Sequence, residues 1–561
     1  MTTPTTDRSI SRAQRQRMPV ALDVAVEIAK HNGVCIRPIV LRRLDVRTGQ
    51  SEDVNVPCGA TRETVCPPCA KRNRYLRMAQ CREGWHLDHE PVTTPDEPDE
   101  QQRWLIEFRA DVQAKRDAAE RDGDAAEIAS WDEAIQEIDA EIRAAGMRGS
   151  LSGRNTGKRS RSTRRRQDAP DLPKRAMSPT TLGRAFSGTD GKVYRPSMFI
   201  TLTLPSYGRI RAGQGVPVDP STYDYRRAAR DALHFSKLVD RFVQNLRRVA
   251  GYDVQYFASV EPQKRLAPHL HMAVRGTLPR AEIKQIAAAT YHQVWWPPVD
   301  EVRFEGDHLP VWTPRADLPD GETYPDGQAG DYLDPATGEL LPTWGEALDQ
   351  LDQDETAEPL HILRFGDQVD VQGVLAGTPD ADQCIRYLSK YLTKSLGESL
   401  DTDDLARRDH AARLVEALRY EPCSPTCPNW LRYGVQPKGA KAGMAPGRCR
   451  GKAHKPENLG YAGRRVLVSR KWSNKTLAEH KRDRRTWVLE ALGLADDPAK
   501  SDPRRYLWKP VPAGDGGVPS LALRLLRMVA ERQRWRATLL TRQAEAAGRP
   551  VPDLSAIREA A

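Results

Sequence analysis

The stretch APHLHMAV, Ala267 to Val274, sets two histidines one residue apart in a run that otherwise reads as a buried strand. Side chains two apart on a strand share a face, so His269 and His271 stand side by side while Leu270 turns into the core. Glu261 lies eight residues before His269, in the strand-like segment VQYFASVEP. With a turn centred near Arg265, it falls across a hairpin from His269 and on the same face. One carboxylate and two imidazoles with open positions beside them suit Mg2+ or Mn2+ at a phosphate, rather than a closed structural zinc. Taken alone, the histidine pair also fits two solvated residues on a strand surface.

A second constellation lies in YLSKYLTKS. Tyr387 and Tyr391 are four apart, so on a helix both hydroxyls leave one face, with Lys390 and Lys394 beside them. A phenol with a pKa of about 10 is a poor nucleophile until a neighbouring cation helps it. Lysines in the same place neutralise phosphate charge. Aromatic packing on an amphipathic helix is the plain reading of this segment by itself.

The nine cysteines fall mostly into two groups. Cys58, Cys66 and Cys69 precede a basic helix, and Cys35 sits on the other arm of a hairpin. Cys81 lies twelve residues past Cys69, which on a continuous helix is about 18 Å. Sulfurs on one zinc must lie within roughly 4 Å of each other, so Cys35, Cys58, Cys66 and Cys69 form the expected ribbon-like site, without Cys81, His86 or His89. The second group, Cys423, Cys427, Cys449 and His454, comes as two close pairs, the usual spacing for structural zinc. Cys384 reads as a small packing residue in the tyrosine helix.

The elements that must position these groups give an α+β chain. A tail and helix (1–30) lead into the first cysteine module (31–90). A helical hairpin and basic linker follow (91–190). Strands and helices then alternate over 191–400 in the order of one central antiparallel sheet covered by helices, with an acidic, Pro- and Gly-rich insertion at about 299–358. PRAEIKQIAAATYHQVWW within it reads as a single helix. A second cysteine module (401–500) and basic helices (501–561) complete the chain. Lys and Arg number 86 against 76 Asp and Glu, for a net charge of +10, which points to a polyanionic partner. No apolar run has the length of a membrane span and no secretory signal opens the chain, so a cytoplasmic protein is expected. No phosphate-binding GxxxxGK[ST] motif is present, so no nucleotide-driven motor is expected.

FITLT (Phe199 to Thr203), HLH (His269 to His271) and YLSKYLTK (Tyr387 to Lys394), in that order, resemble the three motifs of HUH endonucleases that initiate rolling-circle replication. With both cysteine groups included, nearly the whole chain resembles the RepSA-like initiators of actinobacterial plasmids and integrative elements. The resemblance implies a nuclease domain flanked by two zinc modules. It also implies a nick in which Tyr391, aligned with the family's main nucleophile, forms a 5′-phosphotyrosine and frees a 3′-hydroxyl primer. Related plasmid initiators carry a glutamate where Tyr387 stands, so a tyrosine there implies a second nucleophile. The implied partners are duplex origin DNA, a single-stranded nick site, and a host helicase and polymerase. A transposase or conjugative relaxase with the same chemistry, and a zinc-containing DNA-binding regulator that does not cut, are the competing readings.

Overall fold

The structure, a computed structural model, describes residues 18–85, 97–147, 166–183, 193–314, 330–390, 402–462, 465–491, 503–512 and 517–550, with a few single residues between these stretches. Helix α1 (Pro19–His31) precedes a hairpin of β1 (Ile39–Asp45) and β2 (Ser51–Val56), then helix α2 (Pro67–Trp85). Helices α3 (Glu100–Asp122) and α4 (Ala125–Ala144) form a hairpin. Asp99 and Gln102 cap its start reciprocally, and Gly123, at φ 75°, ends the first helix where a side chain would be strained.

The central region runs β3 (Pro196–Thr203), α5 (Tyr225–Ala250), β4 (Tyr256–Pro262), β5 (Pro268–Arg275), α6 (Arg280–Ala289), β6 (Tyr291–Val294), β7 (His361–Arg364), β8 (Val369–Leu375) and α7 (Pro379–Lys390). Helix α8 (Leu405–Tyr420), β9 (Val466–Val468), α9 (Leu477–Ala491), β10 (Tyr506–Pro510) and α10 (Leu521–Ala546) follow. The architecture is mixed α and β with antiparallel sheets, as the α+β reading expects.

Five strands make the main sheet, in the order β8-β3-β5-β4-β9, every pair antiparallel. The two-residue period of β5 divides its side chains between two cores. Leu270, Met272 and Val274 pack with Ile200 and Leu202 against the apolar stripe of α5, including Phe235, Leu238 and Phe242. Each such side chain contributes about 1.5–3 kcal/mol on burial. On the opposite face Ala273, Phe199, Phe257 and Val374 meet Ile385 and Leu388 of α7 and Cys81 and Trp85 of α2. His269 and His271 therefore point to the side that α7 covers.

The expectation of one helix through TYHQVWW is corrected. Helix α6 stops at Ala289, and Tyr291–Val294 becomes β6, paired with β7. Thr290 and the aromatic residues after it favour an extended chain, and the prolines at 297 and 298 bar a helical continuation.

Three long-range contacts have no local signature in the sequence. Strand β9 adds an edge to the main sheet from 200 residues downstream of β4, with Val466 opposite Ser259 and Val468 opposite Phe257. Strand β10 pairs with β1, and Arg505 bridges to Asp45 at 2.7 Å. Helix α10 packs on α1 through Leu525 and Val529 against Ala25 and Ala29. Within the 299–358 insertion, a hairpin of Val311–Pro314 with Gly330–Leu333 and the helix Trp344–Gln353 pack around Trp430, Tyr433 and Leu431, next to the second cysteine group. Trp296 and Trp312 are consumed in this packing, Trp296 against Trp430 and Trp312 against Tyr332.

Candidate active site

The turn between β4 and β5 sets the register on which the site depends. Gln263 N–H donates to the Ala267 carbonyl, and Leu266 is held at φ 64°, a left-handed conformation that costs a residue of this kind about 1–2 kcal/mol. The Arg265 guanidinium braces the turn by donating to the carbonyls of Leu204 and Pro205. Glu261 is thereby placed directly opposite His269, and Thr201 and Thr203 of β3 stand opposite His271 and His269.

The ligand atoms of Glu261, His269 and His271 all lie within 4.8 Å of one another. His271 Nε2 is 2.9 Å from Glu261 Oε1, and the two imidazole centroids are 4.3 Å apart. Both histidines are buried, so they are not the solvated surface pair that remained open from sequence. Burial, then the charge of His271 and of Arg265, holds the His269 imidazolium pKa down to about 3. A neutral imidazole is the form that ligates a metal. Thr201 Oγ1 lies 3.1 Å from His271 Nδ1. In the tautomer whose Nδ1–H donates to that hydroxyl, the lone pair of Nε2 faces Glu261, the arrangement that fixes a metal-binding imidazole. Gln263 accepts from Arg265 through Oε1 and donates Nε2–H to His269 Nδ1 at 3.1 Å, so it holds the second ring with the opposite polarity. One carboxylate and two imidazoles at this spacing could hold a single divalent cation.

Helix α7 supplies the phenol. Ala381, Ile385 and Leu388 anchor it to the sheet, which leaves Tyr387 on the helix flank above His271. The Tyr387 hydroxyl is 3.3 Å from His271 Nε2, and the two rings meet edge to face with centroids 4.7 Å apart. Phe199 closes the other side of the tyrosine ring. Lys390 is exposed at the end of the helix. Tyr391 and Lys394 lie outside the described residues.

Both cysteine groups come together in space. Ligand atoms of Cys35, Cys58, Cys66 and Cys69 lie within 4.8 Å of one another, as do those of Cys423, Cys427, Cys449 and His454, so each set could hold a zinc ion. The Sγ atoms of Cys35 and Cys66 are 3.8 Å apart. In the second group contact with Cys423 drives the Cys427 thiol up and the Cys449 thiol down, as sulfurs crowded enough to share protons do. His454 donates Nδ1–H to the Leu418 carbonyl at 3.0 Å, which turns Nε2 toward Cys427. Cys81 and Cys384 stand apart from both sets, in the core between α2, α7 and the sheet.

The family model described as RepSA, replication initiator protein, pSAM2, matches residues 21–531. The chain belongs to this family. A replication initiator protein of Streptomyces ambofaciens is 28% identical over 268 residues, which cover 42% of this chain and 52% of the relative. The chain therefore spans about half the length of the curated relative it matches. No solved structure gives a significant match. Among the described residues of this RepSA member no helix is long and apolar enough to cross a membrane.

Some residues around the RepSA site escaped the sequence reading. The Thr201 hydroxyl touches His271, a contact the FITLT motif does not announce, while Thr203 stitches the sheet by donating to the Gln368 carbonyl. Gln263 gave no signal beyond its place in the turn. Arg82 of α2 bridges to Asp382 of α7 at 2.9 Å, joining the first cysteine module to the tyrosine helix. Only the three-dimensional packing of α2 on the sheet reveals that link.

Proposed function

We propose that this replication initiator nicks one strand of its origin by tyrosine transesterification and so starts rolling-circle synthesis. The observation that carries the reading is the convergence of Glu261, His269 and His271 beneath a tyrosine from a helix more than a hundred residues away. A binding module needs neither the ligand trio nor the phenol. Bound by these three residues, Mg2+ or Mn2+ would supply Lewis-acid charge to the scissile phosphate. The tyrosine oxygen forms a bond to phosphorus, the bond from phosphorus to the 3′ oxygen breaks, and the phenol proton ends on the new 3′-hydroxyl. The 5′ phosphate stays joined to the protein, so the bond energy is kept for rejoining. Tyr391 is assigned as the first nucleophile and Tyr387 as the second, with Lys390 and Lys394 offsetting phosphate charge.

The two cysteine groups, each with a structural zinc, would hold modules that contact duplex origin DNA, mainly through phosphates and so with strong salt dependence. A host helicase and polymerase would unwind and extend. The test is incubation of the full chain with labelled single-stranded origin oligonucleotides and Mn2+, followed by denaturing electrophoresis. A protein-linked fragment that vanishes in Tyr391→Phe is the expected result. A full-strength adduct in that variant refutes the assignment, and no adduct in the wild type refutes the nicking reading.

A further inference from the structure

Helices α2 and α9 face each other across a groove of about 1000 Å3 that shares no residue with the Glu261, His269, His271 and Tyr387 site, although Cys69 of the first quartet is among its lining. Its rim is cationic: Arg72 and Arg82 from α2, and Lys481, Arg484 and Arg485 from α9. Its floor is apolar, with Leu76 and Ala79 on one wall and Leu477 and Val488 on the other. These positions recur at three- and four-residue steps, so each helix turns one continuous mixed face inward. Among the described residues no carboxylate lines the groove. Three acids on the same helices are engaged elsewhere: Glu83 with His480, Asp483 with Lys475, and Glu479 at the Thr476 cap. Among the described residues Arg72, Lys481, Arg484 and Arg485 form no ion pair. The fifth cation, Arg82, bridges to Asp382, five residues before Tyr387 on α7.

We propose that this groove binds a run of single-stranded DNA beside the nicking site. Cations without carboxylates call for a polyanion. An apolar floor calls for exposed base faces, which a duplex hides in its stack and a single strand offers. The exposed ring of Tyr75, which also lines the groove, gives those bases an aromatic surface. An acidic amphipathic peptide would satisfy the same charge and floor. Adjacency to the tyrosine helix favours the DNA strand, and this part of the case rests on the nicking reading.

The test uses the full chain, without added divalent cation, and fluorescence anisotropy of a labelled oligothymidylate of about twelve nucleotides against a duplex of equal length. The triple variant Lys481→Ala, Arg484→Ala, Arg485→Ala alters only exposed side chains. It should weaken single-strand binding about tenfold and lower the log–log salt slope by about 2, at roughly 0.7 per charge. Ala478→Trp, on an exposed position of the groove wall, keeps every charge and fills the space. It should weaken single-strand binding severalfold and leave the duplex unaffected, while Arg482→Ala, outside the groove, changes neither. Unchanged single-strand affinity in both groove variants overturns the proposal. So does equal loss for duplex and single strand, or preference of the groove for an acidic amphipathic peptide over the oligonucleotide. Nicking is a separate readout. A wild type without adduct whose groove variants lose strand binding sinks the nicking reading alone. An adduct-forming protein whose groove variants bind normally sinks the groove alone.

Discussion

The Tyr387 hydroxyl lies 3.3 Å from Nε2 of His271, although 116 residues separate the two in the chain. The same nitrogen is 2.9 Å from Glu261, so a phenol and a carboxylate converge on one atom. Strand β5 turns His271 to the face that α7 covers, and the anchors Ile385 and Leu388 fix which side of that helix looks down on it.

Tyr387→Phe keeps the ring contacts with Phe199 and His271 and removes only the oxygen. The first covalent adduct, assigned to Tyr391, should persist in this variant. Transfer of the strand to a second tyrosine should fall by roughly 10^3-fold or more, as expected when a nucleophile is deleted. A two-oligonucleotide strand-exchange assay reads both steps. Loss of the first adduct would instead make Tyr387 the primary nucleophile.

Thr201→Val preserves the shape of β3 but withdraws the oxygen 3.1 Å from His271 Nδ1. Removing such an outer partner costs about 10–100-fold in metal affinity. Titration with Mn2+, followed by electron paramagnetic resonance of the free ion, should show that loss. An unchanged isotherm would mean that the hydroxyl does not orient the ring.

Metal analysis of the purified chain should give two zinc ions, one per cysteine group. Cys66→Ser and Cys427→Ser each remove one ligand of a different set and should each lower the content by one. Structural zinc contributes roughly 10–16 kcal/mol of binding free energy in small modules, so a strong chelator should melt both modules before the main sheet. Retention of two ions in either variant would contradict the ligand sets.

The spatial grouping of Glu261 with His269 was legible because strand period and hairpin length fix register locally, within nine residues. Cysteine spacing carried the same kind of information for both quartets. The contacts of β9, β10 and α10 were not legible, because a strand that pairs across two hundred residues or more leaves no periodicity at either end to announce its partner. Thr290 was misread for a different reason: the alanine-rich helix before it runs straight into an aromatic stretch without a glycine or a cap. The groove between α2 and α9 was not legible either, since each helix alone shows only a stripe of arginines and aliphatics.

Acid should weaken the fold through histidines remote from the metal ligands. Burial, reinforced by neighbouring His292 and His361, holds His234 down to about 3; burial and Arg241 hold His292 down to about 4, and burial holds His410 down to about 4. In the unfolded chain they titrate at about 6.5. Their folded pKa values are depressed, so the unfolded state binds more protons as pH falls below about 6.5. The stability present above that pH is then lost toward about 3–4. Urea midpoints at pH 7.5 and pH 5 should drop accordingly, and His234→Leu should shrink the difference. The same drop in the variant would exclude His234 as a source.

Gly84 is where the first cysteine module meets the sheet, and it admits no side chain. A Cβ there would lie 2.1 Å from the Trp472 ring and 2.6 Å from its backbone oxygen. Trp472 cannot easily yield, since its indole donates to the Cys81 carbonyl and packs against Trp85 and Phe257. Gly84→Ala should therefore lift α2 off the sheet, at an overpacking cost of about 1–3 kcal/mol. The cysteine quartet at the start of α2 is about four turns away and should keep its zinc. The Arg82 to Asp382 bridge, two residues from Gly84, should break and loosen α7. Nicking activity should then fall further than the folded fraction does. Calorimetric unfolding and adduct yield on the same preparation decide the matter, and a variant as stable and as active as the wild type would show that α2 does not support the tyrosine helix.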